Sequence, residues 1–135
     1  MVHKRLHHIG VILPSIEKVN AFMEMYGLEE DYSGYVEPYQ SKYIFTKSTA
    51  GLNDSPVEFL IPDGGVLTAY NNGKGGIHHL CYEVDNIDSA CEEFREKGYD
   101  LLEETCPIVD GLMKINFVRP RSSQGILVEF MEILK

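Results

Sequence analysis

The sequence repeats itself with a constant offset of 71 residues, and the repeat carries residue types that bind metals. His8 and Glu58 recur as His79 and Glu129. Their flanks recur without a gap: LHHIG at 6–10 resembles IHHLC at 77–81, and VEFL at 57–60 resembles VEFM at 128–131. A duplicated half that holds one histidine and one carboxylate predicts a pseudo-twofold site with two ligands from each half.

Each half of the chain has a pattern typical of the element order β-α-β-β-β. In the first half we predict strands at 6–13, 43–47 and 57–61, and a helix that begins after Ser15 and ends near Gly27. In the second half we predict strands at 77–84, 114–118 and 126–133, and a helix between Asn86 and Gly98. The Gly-rich segment 62–76 connects the halves. This order predicts an α+β fold.

Strand alternation predicts which face each ligand occupies. Val57, Phe59 and Ile61 would pack against a helix, which leaves Glu58 on the opposite face. The same alternation turns His8, His79 and Glu129 away from the helices. All four candidate ligands therefore share the face of the strands that the helices do not cover.

Composition excludes several function classes. The chain has 135 residues, a net charge of −9 and three cysteines. The acidic balance disfavours nucleic acid and anionic membranes as partners. An odd number of cysteines without zinc-knuckle spacing predicts reduced thiols, which are typical of a cytoplasmic protein. The N-terminus is too polar for a signal peptide, and no apolar run reaches the roughly 18 residues that span a bilayer.

Two imidazoles and two carboxylates form a donor set that suits Mn, Fe, Co, Ni or Zn with coordination positions left open. A metal with open positions can accept two substrate oxygens and stabilise an enolate. A nearby carboxylate can then move the α-proton. The competing interpretation is that duplication preserved a packing arrangement that binds no metal. Glu83 shares the face of His79, where it would either support a ligand or be solvated.

Two longer stretches resemble the vicinal oxygen chelate superfamily, which includes glyoxalases, bleomycin resistance proteins and dioxygenases. They are GIHHLCYEVDNIDSACEEFREKG at 76–98 and NFVRPRSSQGILVEFME at 116–132. Within the superfamily the chain is most similar to the methylmalonyl-CoA epimerases, from Leu6 to Ile133. The resemblance implies one domain over 1–135, with modules at 6–61 and 77–133, a linker at 62–76, and paired curved sheets around a shared metal site.

The resemblance also implies a function. It indicates a metal-dependent isomerase that epimerises a 2-methyl-branched acyl-CoA such as methylmalonyl-CoA by 1,1-proton transfer. The implied metal ligands are His8, Glu58, His79 and Glu129, and the implied catalytic acid–base residues are Glu129 and Glu37. A cytoplasmic homodimer would be the expected form. Five basic residues are available for the phosphates of CoA: Lys42, Lys74, Lys114, Arg119 and Arg121.

Other functions of the same superfamily remain alternatives. A glyoxalase-like lactoylglutathione lyase often has an arginine and an asparagine where this chain has Ile12 and Pro62. An extradiol-type dioxygenase uses two histidines and one glutamate, and the additional Glu58 disfavours it. A non-enzymatic drug-binding resistance protein generally lacks the ligand set. Bound metal would distinguish that last class from the enzymes.

Overall fold

A computed structural model describes residues 3–48 and 54–134 of the chain. Its helices and strands follow the predicted β-α-β-β-β order twice, and the α+β fold class is confirmed. The elements of the first repeat are β1 (His3–Ile12), α1 (Ile16–Tyr26), β2 (Glu30–Val36), β3 (Ser41–Thr46) and β4 (Val57–Pro62). Those of the second are β5 (Gly76–Val84), α2 (Ile87–Glu96), β6 (Ile108–Val109), β7 (Met113–Val118) and β8 (Val128–Ile133).

The chain divides into two compact units, and each contributes four described strands. The His8 unit comprises His8–His78, and the His79 unit comprises Met1–His7 with His79–Lys135. In the His8 unit the strand order is β2-β3-β4-β1, with β1 and β4 parallel. In the His79 unit the order is β5-β8-β7-β6, with β5 and β8 parallel. The two repeats thus have the same topology.

Local sequence signals fix both helices where they were predicted. The Ser15 hydroxyl accepts a hydrogen bond from the Lys18 amide, and α1 ends at Gly27 in the left-handed conformation. The Asn86 side chain accepts a hydrogen bond from the Ser89 amide at the start of α2. These caps satisfy backbone groups that the ends of a helix would otherwise leave without partners. No helix among the described residues is long and apolar enough to span a membrane.

Each helix packs on the sheet face that alternation predicts. In the His8 unit, Val19 of α1 packs with Ile44 and Phe59, and with the partly buried Val11 and Val57. In the His79 unit a second core lies beneath α2. Its buried members are Val84, Ile87, Ala90, Cys91, Cys106, Val118 and Phe130. Because side chains alternate along a strand, this packing assigns the neighbouring histidines and glutamates to the opposite face.

The predicted order includes a second strand in each half, but the sequence did not locate it. Strand β2 (EDYSGYV) contains Asp, Ser and Gly, which have weak strand propensity, so pairing with β3 decides its structure. Strand β6 has only two residues and is defined by its bridges to β7. The predicted linker 62–76 contains a kinked 3-10 segment at Val66–Gly73. The single domain over 1–135, with modules at 6–61 and 77–133, remains a prediction.

Gly75 lies where β5 approaches the end of β1, and its substitution tests that approach. Its φ is +78°, and an added Cβ would lie 2.1 Å from the Ile12 carbonyl oxygen. We expect Gly75→Ala to lower the free energy of unfolding by about 2–4 kcal/mol, because backbone strain and a backbone clash add. Gly27 is the matched control, since its φ is +67° and no atom lies within 4 Å of its added Cβ.

Chemical denaturation of both variants measures the difference. Gly27→Ala should cost about 1 kcal/mol, from left-handed strain alone. Equal losses of stability in the two variants would show that the clash with the Ile12 carbonyl oxygen does not add to the destabilisation.

Candidate metal centre

The His8 unit holds a buried histidine–glutamate pair. His8 Nε2 lies 3.2 Å from Glu58 Oε1, and the two residues are 0% and 7% exposed. Their contact follows from the strand register, because Gly10 of β1 pairs with Glu58 of β4. His8 is two residues before Gly10, so both side chains point to the same face. The structure therefore brings together the first predicted pair of ligands.

The His79 unit repeats this arrangement. His79 Nε2 lies 3.0 Å from Glu129 Oε1, and the two residues are 2% and 4% exposed. Cys81 of β5 pairs with Glu129 of β8, so the glutamate again lies opposite the residue two positions after the histidine. The repeat in sequence is thus also a repeat in register and in side-chain contact.

A phenylalanine accompanies each pair, and the sequence analysis missed both. The ring of Phe45 packs edge-on against His8 at a centroid distance of 4.9 Å. The ring of Phe117 packs in the same way against His79 at 5.4 Å. Each phenylalanine is also the cross-strand partner of the glutamate of its pair. The two phenylalanines are 72 residues apart, so an ungapped comparison with an offset of 71 does not align them.

These surroundings constrain the charges of the pairs. A carboxylate that is withdrawn from water is costly unless a cation or hydrogen-bond donors offset its charge. Glu58 and Glu129 are both buried, and each faces one imidazole nitrogen. A divalent cation would satisfy carboxylates and neutral imidazoles together, because both are ligands of transition metals. Each pair therefore offers an imidazole nitrogen and a carboxylate oxygen to a metal ion.

Glu37 does not adjoin the His8–Glu58 pair within its unit. It lies exposed in the 3-10 turn Glu37–Tyr39 that joins β2 to β3. Glu58 pairs with Phe45, four residues along β3 from Ser41, the first residue of that strand. Four residues of strand span about 13 Å. The turn that carries Glu37 therefore lies at the far end of β3 from Glu58.

Glu83 pairs with two basic side chains of β1, which is neither of the two environments predicted for it. Its carboxylate accepts a hydrogen bond of 2.9 Å from Arg5 Nε and lies 3.3 Å from Lys4 Nζ. Burial alone would raise the pKa of Glu83, but the hydrogen bonds and charges of Arg5 and Lys4 outweigh it and hold the pKa below its ordinary value of 4.5. Glu83 therefore ties the start of β1 to the end of β5.

The pKa of Glu83 predicts how its contribution varies with pH. A carboxylate whose folded pKa is lowered stabilises the fold at a pH above its ordinary value, and that stability is lost as the pH falls through the folded pKa. We expect Glu83→Gln to cost about 1–3 kcal/mol at pH 7, because a buried charged hydrogen bond is lost. Urea unfolding from pH 7 down to pH 3 should show the difference from wild type shrinking below pH 4.5.

Glu29 provides the control for Glu83. It is exposed and pairs with Lys47 at 3.4 Å. Exposed ion pairs contribute little, so Glu29→Gln should leave stability nearly unchanged. A cost of Glu83→Gln that does not vary with pH would contradict the assignment of its stability to the charged form.

The remaining predicted residues have varied environments. His78, beside the predicted ligand His79, packs edge-on against Tyr70 at 4.9 Å. Of the basic residues considered for CoA, Lys114 is paired with Asp88 and Arg121 with Asp100. The other three are exposed: Lys42, Lys74 and Arg119.

Comparison with known proteins identifies related sequences and structures. The model of the Glyoxalase/Bleomycin resistance protein/Dioxygenase superfamily matches residues 7–117. The mitochondrial methylmalonyl-CoA epimerase of Bos taurus is 32% identical over 132 residues, which cover 93% of this chain and 72% of the relative. The ethylmalonyl-CoA/methylmalonyl-CoA epimerase of Cereibacter sphaeroides is 28% identical, and the match covers 96% of this chain and 98% of the relative.

Solved structures show the same fold. Methylmalonyl-CoA epimerase from Mycobacterium tuberculosis has a TM-score of 0.85 at 19% identity, and the match covers 100% of this chain and 94% of that one. A substituted Streptomyces coelicolor methylmalonyl-CoA epimerase in complex with 2-nitronate-propionyl-CoA has a TM-score of 0.85 at 22% identity, with coverage of 99% and 100%. At this level of identity the likeness establishes the fold alone.

Proposed function

This chain belongs to the Glyoxalase/Bleomycin resistance protein/Dioxygenase superfamily, and we propose that it is a metal-dependent epimerase of a 2-methyl-branched acyl-CoA such as methylmalonyl-CoA. The observation that carries this proposal is the repeated His–Glu pair, which is buried and has the same register in both units. Relatives named as methylmalonyl-CoA epimerases, up to 32% identical, support the choice of substrate.

We propose that His8, Glu58, His79 and Glu129 bind one divalent ion together. Two nitrogen and two oxygen donors fit Mn, Fe, Co, Ni or Zn, and they leave positions for substrate oxygens. When bound, such an ion would supply Lewis acidity that stabilises the negative charge of an enolate. The edge-on contacts of Phe45 and Phe117 fix the planes of the two imidazoles and keep water from them. Both aromatic rings therefore orient ligands rather than react.

Epimerisation needs one group to remove the α-proton and another to return a proton to the opposite face. We assign the first role to Glu129, because its carboxylate is buried beside His79. Glu37 remains our candidate for the second role, by resemblance to the family. Its exposed position on the β2–β3 turn means that the role requires substrate, or the turn itself, to bridge the distance along β3.

The decisive experiment is solvent deuterium exchange at the α-carbon of methylmalonyl-CoA, followed by NMR. The protein is assayed as purified, after chelation, and after Co or Mn is restored. Exchange that is lost on chelation and regained with metal would support the epimerase. A stoichiometric bound metal without exchange would reject this substrate and favour glyoxalase-like or dioxygenase chemistry. Full exchange in rigorously metal-free protein would reject the metal mechanism.

Assembly and location complete the proposal. We propose a cytoplasmic homodimer that binds neither nucleic acid nor membrane. The net charge of −9 disfavours polyanionic partners, and three cysteines that are not in disulfides suit a reducing compartment. Light scattering coupled to size-exclusion chromatography measures the assembly, and a monomer at micromolar concentration would contradict it.

A further inference from the structure

The core beneath α2 contains two cysteines whose sulfur atoms are close together. Cys91 Sγ on α2 lies 3.7 Å from Cys106 Sγ, in the loop that follows the helix. Both are free thiols, and they are 0% and 6% exposed. A disulfide has an S–S length of about 2.05 Å, so a side-chain rotation and a small loop shift would join them. This pair takes no part in the His–Glu pairs described above.

A buried asparagine holds both sulfurs in place. Asn116 Nδ2 donates to Cys91 Sγ and to Cys106 Sγ, at 3.6 Å each, and to the Glu103 carbonyl at 2.9 Å. Its Oδ1 accepts from the amides of Glu103 and Phe117. Asn116 is completely buried. The side chain thus fixes the loop and both thiols in one network, which keeps the sulfurs facing each other.

We propose that Cys91 and Cys106 are a redox-reactive dithiol that peroxide converts to an intramolecular disulfide, which links α2 to the following loop. Cys106 is the more accessible sulfur and reacts first, and Cys91 resolves the product. In the first step Cys106–SH and H2O2 give Cys106–SOH and water. In the second step Cys91–SH displaces hydroxide from that sulfur, which leaves the disulfide and a second water. Two thiols are oxidised and one peroxide is reduced.

The environment of Cys91 agrees with this order of reaction. Burial, and then the neighbouring Cys106, raise the pKa of Cys91 to about 12. A thiol attacks peroxide as its thiolate, so Cys91 is a poor first nucleophile at neutral pH. It is well placed for the second step, because the sulfenic sulfur would form within van der Waals distance of it.

The test is a thiol count and an intact mass after native, reduced protein is treated with hydrogen peroxide and then denatured. Wild type should fall from three titratable thiols to one and lose about 2 Da. Peptide mapping should join the peptides of Cys91 and Cys106. The oxidised protein should melt about 5–10 °C higher than the reduced protein, because the link closes a loop 15 residues long.

Single variants assign the order of the steps. Cys91→Ala should stop at a sulfenic acid on Cys106 that a sulfenic-acid probe such as dimedone traps, whereas Cys106→Ala should gain no such adduct. Cys81→Ala, which keeps both members of the pair, should still form the link. Three thiols that survive both peroxide and a diamide oxidant in native wild type would overturn the proposal. So would a link that runs through Cys81 or joins two chains.

Discussion

Glu129→Gln should lower, by about 10³-fold or more, the rate of α-proton exchange in the epimer whose proton Glu129 removes, because an amide cannot accept the proton. The substitution keeps the size of the side chain and an oxygen that can contact a metal. Glu129 is 4% exposed and lies opposite Phe117 in the strand register, so the amide would stand in the same buried position. The measurement is the rate at which methylmalonyl-CoA takes up deuterium, compared with the rate at which one epimer becomes the other.

Glu37→Gln tests whether Glu129 and Glu37 act on opposite faces of the α-carbon. If Glu129 and Glu37 act on opposite faces, each variant should lose epimerisation but still exchange the proton of one epimer. Glu104, exposed in the loop after α2, is the control, and Glu104→Gln should leave the rate unchanged. A Glu129→Gln variant within tenfold of wild type would contradict its role as a base. A fully active Glu37→Gln would assign the second proton to another group.

His79→Ala should abolish stoichiometric metal binding and reduce exchange to background, while the protein remains folded. The variant removes one of two imidazole donors and leaves Glu129 without its neighbour at 3.0 Å. We expect a loss of about 1–3 kcal/mol in the free energy of unfolding, because a buried polar contact of a carboxylate is lost. Metal content after dialysis and the shift in Tm on addition of Co or Mn measure the effect, because ligand binding stabilises the folded state.

The chain provides a matched control in the adjacent residue. His78→Ala removes an imidazole from the same strand, but strand alternation turns its side chain to the face opposite that of His79, and its ring packs against Tyr70. This variant should keep its metal, its activity and its metal-dependent rise in Tm. If His79→Ala binds metal as tightly as wild type does, the four-ligand hypothesis is wrong, whatever its activity.

Much of the structure could be predicted because the signals are local. Ser15 and Asn86 cap their helices because their side chains reach amides three residues ahead. The alternation of Val57, Glu58 and Phe59 assigned the glutamate to one face before any strand pairing was known. The offset of 71 residues related one histidine–glutamate pair to the other.

Other features depend on partners that are distant in the sequence. The ion pairs of Glu83 with Lys4 and Arg5 join positions almost 80 residues apart. Phe45 and Phe117 contact the histidines through strand pairing, and a shift of one residue between the repeats concealed their equivalence. No pattern in the sequence indicated that Cys91 and Cys106 would meet at 3.7 Å.

The sequence by itself determined the donor set, the ends of the helices and the face of the strands on which His8, Glu58, His79 and Glu129 lie. These follow from hydrogen bonds within one turn and from the two-residue period of a strand. Only the tertiary structure decided the register that brings each histidine within 3.0–3.2 Å of its glutamate, the positions of β2 and β6, and the partners of the buried polar groups. Those outcomes depend on which strands pair and on what each side chain then meets, and local preferences do not encode that information.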